Sequence, residues 1–429
     1  MNPARRSPLF FSAWCLIAAF GAYACMYAFR KPFTAGVYAT GIYSSGFKTW
    51  LVLAQVLGYT ISKFLGIRII AEMPAHRRAF TMLALVAVAQ GGLLLFGALP
   101  PPYCVSGLFL NGLALGMVYG LVLGFLEGRQ MTEAFVAGLC ASFILADGFT
   151  KSVGAYLLEA GVSERWMPAT AGLLFLLPLV GFVWMLQKIP APSAADIAGR
   201  AERVPMDRAQ RRAMFLRHAP GLLAIMLAFL LVTVLRSMRA DFAPEIWAGL
   251  GTPPPPGVFT RSEILVALGV LAANAFLVLF HDNRRAFFMG LLLAFAGLGL
   301  ILVALIARAH GGLDAFSFMV LLGLGLYLPY VVVHTTIFER LIAMTRDRGN
   351  MGYLMYLADA FGYLGYVAIL VAKNFWHGNG NVLGLFVATS WIVALVSLVA
   401  LAAALVFFAR RSTILVTPAP GLDTRSATS

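Results

Sequence analysis

Long apolar segments separated by short polar stretches occupy almost the whole chain of 429 residues. Each is close to the roughly 20 residues that a helix needs to cross the hydrocarbon core of a bilayer. They cover approximately Leu9–Lys31, Trp50–Ile70, Phe80–Leu99, Cys104–Leu126, Ala134–Leu158, Trp166–Leu186, Pro220–Asp241, Ile264–Phe280, Ala286–Ala307, Phe316–Phe338, Met351–Ala372 and Leu383–Phe408. The pattern predicts an all-α membrane protein with about twelve transmembrane helices.

A polar stretch in the middle divides these segments into six and six. We expect an N-terminal six-helix half over residues 1–187, a basic cytoplasmic linker over 188–218, a C-terminal six-helix half over 219–412 and a disordered cytoplasmic tail over 413–429. The composition agrees, since 61% of the residues are apolar and 12% are charged. Soluble domains carry about 25% charged residues. A soluble enzyme, a disordered chain and a secreted disulfide scaffold are therefore excluded.

Basic residues in the short loops predict the orientation in the membrane. The net charge is +14, and most loop Lys and Arg residues fall on the side that holds both termini, as Arg77-Arg78 and Arg284-Arg285 do. By the positive-inside rule, this side is cytoplasmic. We expect a multi-pass protein of the plasma (inner) membrane, monomeric in membrane lipid. This distribution explains the basic charge without nucleic-acid binding.

The two halves repeat each other in sequence. Leu145–Phe149 returns as Leu357–Phe361, 212 residues later, and Arg30 returns as Arg236, 206 residues later. Halves with six spans each keep the same orientation, so they form parallel repeats. This arrangement resembles that of the major facilitator superfamily, whose substrate site lies between the halves near the middle of the membrane.

Ionisable side chains inside the apolar segments mark the candidate site, because such groups are costly in a membrane unless they face a partner or a wet cavity. They include Arg30, Lys63, Asp147, Lys151, Arg236, His334 and Asp359. Asp147 and Lys151 lie one helical turn apart, so they either pair along one helix face or take part in binding. His334 and Asp359 are candidates for an ion pair or for carrying a coupling ion.

Tyr23, Tyr27 and Arg30 share one face of the first predicted helix, because they are spaced at i, i+4 and i+7. The planar guanidinium of arginine matches phosphate or carboxylate in a bidentate way. Neither Arg30 nor Arg236, its equivalent in the second half, has an acidic residue one helical turn away. We expect both arginines to bind a small anionic substrate, with Lys63 adding positive charge.

At these residues the chain resembles the organophosphate:phosphate antiporters, the glycerol-3-phosphate and hexose-phosphate transporters of the major facilitator superfamily. The matching residues are Tyr23, Tyr27 and Arg30–Phe33 in the first segment, Ser62–Gly66 in the second, Leu235-Arg236 with Asp241–Pro244 in the seventh and Phe361–Gly365 in the eleventh. The resemblance implies a major facilitator fold and a phosphate held by Arg30 and Arg236. Lys151 stands near the place of a family histidine, which is a departure from the pattern.

Three functions are compatible with the sequence. The first is exchange of a phosphate ester for inorganic phosphate, and the second is proton-coupled symport of an organic anion with Asp147 or Asp359 as proton carrier. The third is a sensor that binds sugar phosphate without transporting it. We expect no enzyme activity, no cofactor and no metal, because the sequence has no phosphate-binding loop, zinc-ligand cluster or nucleophile elbow.

Overall fold

The computed structural model describes residues 7–39, 46–71, 73–126, 132–190, 208–251, 255–345, 351–376 and 381–414. These ranges form helices and, within them, no strand. The prediction of an all-α protein is confirmed. The tail beyond Ile414 and residues 191–207 of the expected linker lie outside the described residues.

The first half contains six spans, of which the fourth is divided into two helices. Its helices are α1 (Pro8–Ala28), α2 (Phe47–Ala71), α3 (Ala75–Ala98), α4 (Val105–Leu115), α5 (Val118–Leu126), α6 (Thr132–Glu159) and α7 (Met167–Gln187). The division falls at Gly116, which packs so closely on α2 that a Cβ there would lie 2.5 Å from the Cβ of Ser62.

The second half repeats this arrangement and adds a short helix after its first span. Its helices are α8 (Arg208–Asp241), α9 (Ala243–Gly249), α10 (Gly257–Val278), α11 (Asn283–Ala309), α12 (Ala315–Val332), α13 (Phe338–Thr345), α14 (Met351–Trp376) and α15 (Val382–Ile414). A π-helical turn, Val333–Ile337, joins α12 to α13. The seventh span was expected to begin at Pro220, but its helix begins at Arg208, so part of the expected linker is helical.

Among the described residues, nine helical spans are long and apolar enough to cross a membrane. The helices α2 and α6 are 25 and 28 residues long but are not among the nine. The first carries Lys63 within its length, and the second carries Asp147 and Lys151. The chain is a multi-pass membrane protein, and two helices with a weak apolar signal hold candidate site residues.

The first helix ends before the residue that the sequence predicted. The apolar segment extends to Lys31, but α1 ends at Ala28. Proline has no N–H to donate to the carbonyl four residues earlier, and its ring clashes with that carbonyl in a continuing helix. Pro32 therefore begins a separate 3₁₀ turn, Pro32–Ala35, and the Arg30 N–H donates to Tyr27 O at 3.0 Å. Arg30 remains buried in the connection between the two.

Glycines let neighbouring helices approach closely inside each half. A Cβ on Gly92 of α3 would lie 2.6 Å from Gly107 O, and one on Gly107 would lie 2.5 Å from Gly92 O. The second half has the same reciprocal contact between Gly297 of α11 and Gly325 of α12, at 2.9 and 2.7 Å. Small residues of this kind allow backbone contact between membrane helices. The matching contacts support the repeat that the sequence indicated.

The two halves meet along two main seams, α2 against α14 and α6 against α10. The start of α1, the end of α7, the start of α8 and the end of α15 share one end of the bundle, which we call the terminal end. The other is the opposite end. The helix α2 runs from the opposite end to the terminal end, whereas α8 and α14 run the other way.

Candidate functional site

Arg30 lies among tyrosine rings at the centre of the bundle. Its guanidinium carbon is 3.8 Å from the ring centroid of Tyr59, 6.0 Å from that of Tyr27 and 5.9 Å from that of Tyr363. The side chain is buried, and its Nε has no hydrogen-bond partner in the described part of the chain. Cation–π contacts stabilise the charge only in part, because they leave the N–H donors available.

Arg236 of α8 occupies the corresponding place in the second half. Its guanidinium carbon is 4.5 Å from the ring centroid of Tyr330, and its Nη2 donates to the Tyr363 hydroxyl at 3.3 Å. Its Nε also has no hydrogen-bond partner among the described residues. Tyr363 of α14 therefore lies near both arginines.

The two arginines differ from the other buried arginine nearby. Arg239, one turn beyond Arg236, donates to Glu263 at 2.6 Å and to Met319 O at 3.0 Å. Within the described ranges, no carboxylate oxygen lies within 4.0 Å of Arg30 or Arg236. Two buried charges without a counter-ion are costly, since buried cations are normally paired. The two guanidinium groups therefore lack a counter-charge within the described residues.

A small cavity lies beside these guanidinium groups. Its lining residues come from both halves and are Tyr23, Tyr27, Tyr59, Lys63, Tyr119, Phe143, Arg236, Tyr330, His334, Asp359 and Tyr363. The space among them is about 20 Å³, which is room for about one water. Any ligand larger than a water molecule therefore requires these side chains to move apart.

An ion pair closes the cavity on the side of the terminal end. Lys63 of α2 contacts Asp359 of α14, and both side chains are buried. His334 of the π turn places its Nε2 3.4 Å from the other oxygen of Asp359. This cluster crosses from one half to the other, so it must open before the cavity can communicate with the terminal end.

A larger network closes the opposite end. Lys31 donates to Asp241 at 2.5 Å, and its Nζ lies 3.6 Å from Asp147. Asp147 pairs with Lys151 at 2.5 Å, and Tyr366 donates to Asp241 at 3.0 Å. Because Lys31 belongs to the first half and Asp241 to the second, this pair also holds the halves together.

Two further contacts across the halves lie at the opposite end. Lys151 donates to Ala240 O at 2.8 Å, and Lys48 of α2 pairs with Glu245 of α9 at 2.8 Å. Along α2, Lys48 and Lys63 are separated by about 22 Å at 1.5 Å per residue, with Tyr59 between them. The arginines therefore lie between two layers of ion pairs that join the halves.

The structure brings together most of the residues that the sequence singled out. Tyr23, Tyr27, Lys63, His334 and Asp359 line the same cavity as Arg236, and Arg30 contacts three of the lining tyrosines. In contrast, Asp147 and Lys151 belong to the opposite-end network and not to the cavity lining. The structure contains the intrahelical Asp147–Lys151 pair, one of the two alternatives left open for these residues.

Sequence reasoning did not assign the aromatic residues that the other helices contribute. Tyr59, Tyr119, Phe143, Tyr330 and Tyr363 line the cavity. Tyr59 lies one turn before Lys63 and Tyr363 lies one turn after Asp359, so a charged residue on the same helix face was the signal that could have found them. Tyr363 had a second signal, since it lies in the Phe361–Gly365 match to the antiporters. Lys31, which belongs to the opposite-end network, also had a signal in the sequence, since it directly follows Arg30.

The family model described as a family of unknown function (DUF5690) matches residues 32–411. The chain belongs to this family. The match includes Arg236 and its helix α8, whereas α1 and Arg30 precede its first position, Arg30 by two residues. No curated protein sequence matches the chain significantly.

Solved structures of transporters have a similar fold. A nucleoside transporter, NupG, is 12% identical with a TM-score of 0.57, covering 92% of this chain and 98% of its own. A D-xylose-proton symporter is 12% identical with a TM-score of 0.60, covering 91% and 96%. A POT family transporter, PepTSo, is 16% identical with a TM-score of 0.59, covering 93% and 98%. The predicted major facilitator fold is confirmed.

Proposed function

We propose that this protein is a secondary transporter that exchanges a small phosphate ester for inorganic phosphate by alternating access. The observation that carries this proposal is the pair Arg30 and Arg236. Both are buried, they come from opposite halves, and neither has a carboxylate partner among the described residues. A transported anion with nearly two negative charges would supply the missing counter-charge to both.

The charge balance supports exchange. Two guanidinium groups of like charge beside one site repel each other, and removing water from each adds to this cost. A phosphate can take a bidentate bond from each guanidinium. The loaded carrier should therefore close over its substrate more readily than the empty carrier does. The carrier would then switch between its two open sides mainly with an anion bound, and this is exchange.

The two layers of ion pairs support alternating access. Lys63–Asp359 closes the terminal end, and Lys31–Asp241 with Lys48–Glu245 closes the opposite end. Opening one layer while the other stays closed exposes the cavity to one side only. In this conformation both layers are formed and the cavity is small, as expected of an occluded state.

The similar solved structures are a nucleoside transporter, a D-xylose-proton symporter and a POT family transporter, which supports secondary transport in general. The phosphate class is supported by the arginines and by the resemblance to the organophosphate antiporters. We further propose an inner-membrane location with both termini cytoplasmic, a monomer in lipid, and transport without an enzyme reaction, cofactor or nucleic-acid partner.

The test is uptake of a labelled phosphate ester by proteoliposomes loaded with inorganic phosphate. We expect uptake that depends on internal phosphate and is lost in Arg30→Gln and Arg236→Gln. Arg285→Gln is the matched control, because Arg285 is an exposed residue at the start of α11. Uptake driven by a proton gradient without internal phosphate would favour symport, and binding without uptake would favour a sensor. Either result would overturn the exchange proposal.

A further inference from the structure

We propose that His334 and Asp359 bind one proton between them, and that this proton weakens the ion pair holding the halves together at the terminal end. The presence of the proton follows from the geometry of the two side chains. Its effect on substrate exchange rests on the function proposed above.

The ring of His334 is oriented by a backbone group that can only accept. Its Nδ1 lies 2.9 Å from the carbonyl oxygen of Tyr330, one turn earlier. A carbonyl has no hydrogen to give, so Nδ1 carries the hydrogen of this bond. A neutral histidine has one N–H, and Nε2 of a neutral His334 is therefore a bare acceptor.

That bare acceptor would face a second acceptor. Nε2 lies 3.4 Å from Oδ1 of Asp359, and Oδ1 has no hydrogen-bond partner within the described residues. Both residues are buried, with side chains 5% and 12% exposed, so water reaches them poorly. Two lone pairs directed at each other are unfavourable there. One proton, on either atom, turns the repulsion into a hydrogen bond.

The other groups around the pair do not remove this requirement. The titratable and charged side chains that face it are Lys63 and Tyr59 on α2, Cys140 on α6, Arg236 on α8, and Tyr330 and Tyr363 beside them. Of these, Lys63 contacts Asp359, through the other carboxylate oxygen, Oδ2. It therefore leaves the contact between Oδ1 and Nε2 unchanged.

The π turn and its aromatic neighbours place the histidine at this position. His334 lies within Val333–Ile337, and its ring centroid is 4.6 Å from that of Tyr330 and 5.1 Å from that of Phe229. These contacts restrict rotation of the ring away from Asp359. Single π turns in helices are often found at functional sites.

The consequence is a competition between two cations for one carboxylate. Lys63 belongs to the first half, whereas His334 belongs to the same half as Asp359. When the proton is present, Asp359 has its counter-charge within its own half, and the attraction of Lys63 across the seam is weaker. When the proton leaves, Lys63 is the remaining cation in contact with Asp359. We therefore expect acid to favour opening at the terminal end and base to favour closure.

The first experiment measures the protonation directly in the full chain, reconstituted without substrate. Solid-state NMR with ¹⁵N-labelled histidine and ¹³C-labelled aspartate reports both groups, and His334→Asn identifies the histidine signal. At about pH 7.5 an exposed histidine with a pKa near 6.5 is mostly neutral. We expect His334 to carry hydrogen on both nitrogens, or Asp359 to be protonated. A neutral His334 beside an ionised Asp359 carboxylate overturns the proposal.

The second experiment measures the consequence, also without substrate. A cysteine replaces Leu123, one turn beyond the cavity-lining Tyr119 toward the terminal end, in a chain whose native cysteines are changed to alanine. We expect its labelling rate, corrected for thiol ionisation, to rise with acid by up to about tenfold per pH unit, the limit for one proton. In His334→Asn the change should fall below about twofold.

His310→Gln is the matched control, because His310 is an exposed histidine that caps α11 away from the cavity. It should keep the full pH response. A response that survives His334→Asn, in a variant whose melting temperature is unchanged, overturns the proposal. Because neither experiment uses phosphate, their outcome is independent of whether the protein exchanges phosphate esters.

Discussion

Arg30 and Arg236 come from opposite halves and approach the same residue, Tyr363, without either being paired to a carboxylate in the described part of the chain. Arg236 donates to the tyrosine hydroxyl, and Arg30 lies 5.9 Å from the ring centroid. Lys31 and Arg239 are close to them in sequence but have carboxylate partners. The absence of pairing is thus a property of these two positions.

The geometry of the guanidinium group, and not only its charge, should matter at Arg236. Arg236→Lys keeps the positive charge but loses the planar pair of donors. We expect phosphate exchange to fall by about 100-fold, equivalent to about 3 kcal/mol, which is typical of a charge-assisted hydrogen bond. Initial exchange rates in proteoliposomes measure this. An Arg236→Lys variant that exchanges phosphate at the wild-type rate would show that the planar pair of guanidinium donors is not needed.

Loss of the Lys31–Asp241 pair should open the opposite end without unfolding the protein. Removing one partner of a buried pair usually costs about 3–5 kcal/mol, because the other charge is left alone. In Asp241→Asn, however, Lys31 still has Asp147 at 3.6 Å. We expect a cysteine at Ala243, a buried position at the start of α9, to be labelled about tenfold faster, equivalent to about 1.4 kcal/mol.

The control for this measurement is Asp314→Asn, at an exposed N-cap of the same end. Asparagine is an equally good cap, so this variant should label at the wild-type rate. Equal labelling of Ala243→Cys with and without the Asp241 change would show that the pair does not hold the opposite end closed.

Asp147 should influence anion binding although it does not line the cavity. It neutralises Lys151 at 2.5 Å and helps to neutralise Lys31. Asp147→Asn leaves these lysines with more uncompensated charge, so we expect phosphate to bind several-fold more tightly and to leave more slowly. Binding of labelled phosphate to purified protein checks this. An unchanged affinity together with a lower melting temperature would assign the Asp147–Lys151 pair to folding alone.

Two adjacent glycines of α3 should respond in opposite ways to alanine. A Cβ on Gly92 would lie 2.6 Å from Gly107 O, whereas one on Gly91 would meet nothing within 4 Å. We expect Gly92→Ala to destabilise the protein by about 1–3 kcal/mol through overpacking. Gly91→Ala should be neutral or stabilise it by up to about 1 kcal/mol through helix propensity. Melting temperatures in detergent compare them, and equal shifts would contradict the close helix contact.

The sequence predicted the helical class, because apolar length is a local property, and it marked buried charged residues that the structure places near one another, such as Lys63 and Asp359. It did not predict the ends of several helices. The end of α1 at Ala28 depends on Pro32, and the division between α4 and α5 depends on contact with α2. The pattern of apolar residues along the chain carries no information about such contacts between distant segments.

The pairing of the charges could not be predicted either. Lys63 and Asp359 are 296 residues apart, and Lys31 and Asp241 are 210 apart. Spacing along the chain favoured the ion pair Asp147–Lys151, because both residues lie on one helix. It gave no means of assigning ion pairs between the two halves. Tyr59, Tyr119, Tyr330 and Tyr363 were not assigned, because an aromatic residue in an apolar helix is equally suited to packing against a neighbour.

Binding of a phosphate ester at equilibrium, compared across a set of arginine variants, tests the central claim most directly. The measurement is binding of labelled glycerol phosphate to purified wild type, Arg30→Gln, Arg236→Gln and the control Arg285→Gln. If the two arginines hold the anion, the first two variants should each lose at least about 100-fold in affinity, and the control should match wild type. If both variants remain folded and bind as tightly as wild type, the anion site does not lie between Arg30 and Arg236.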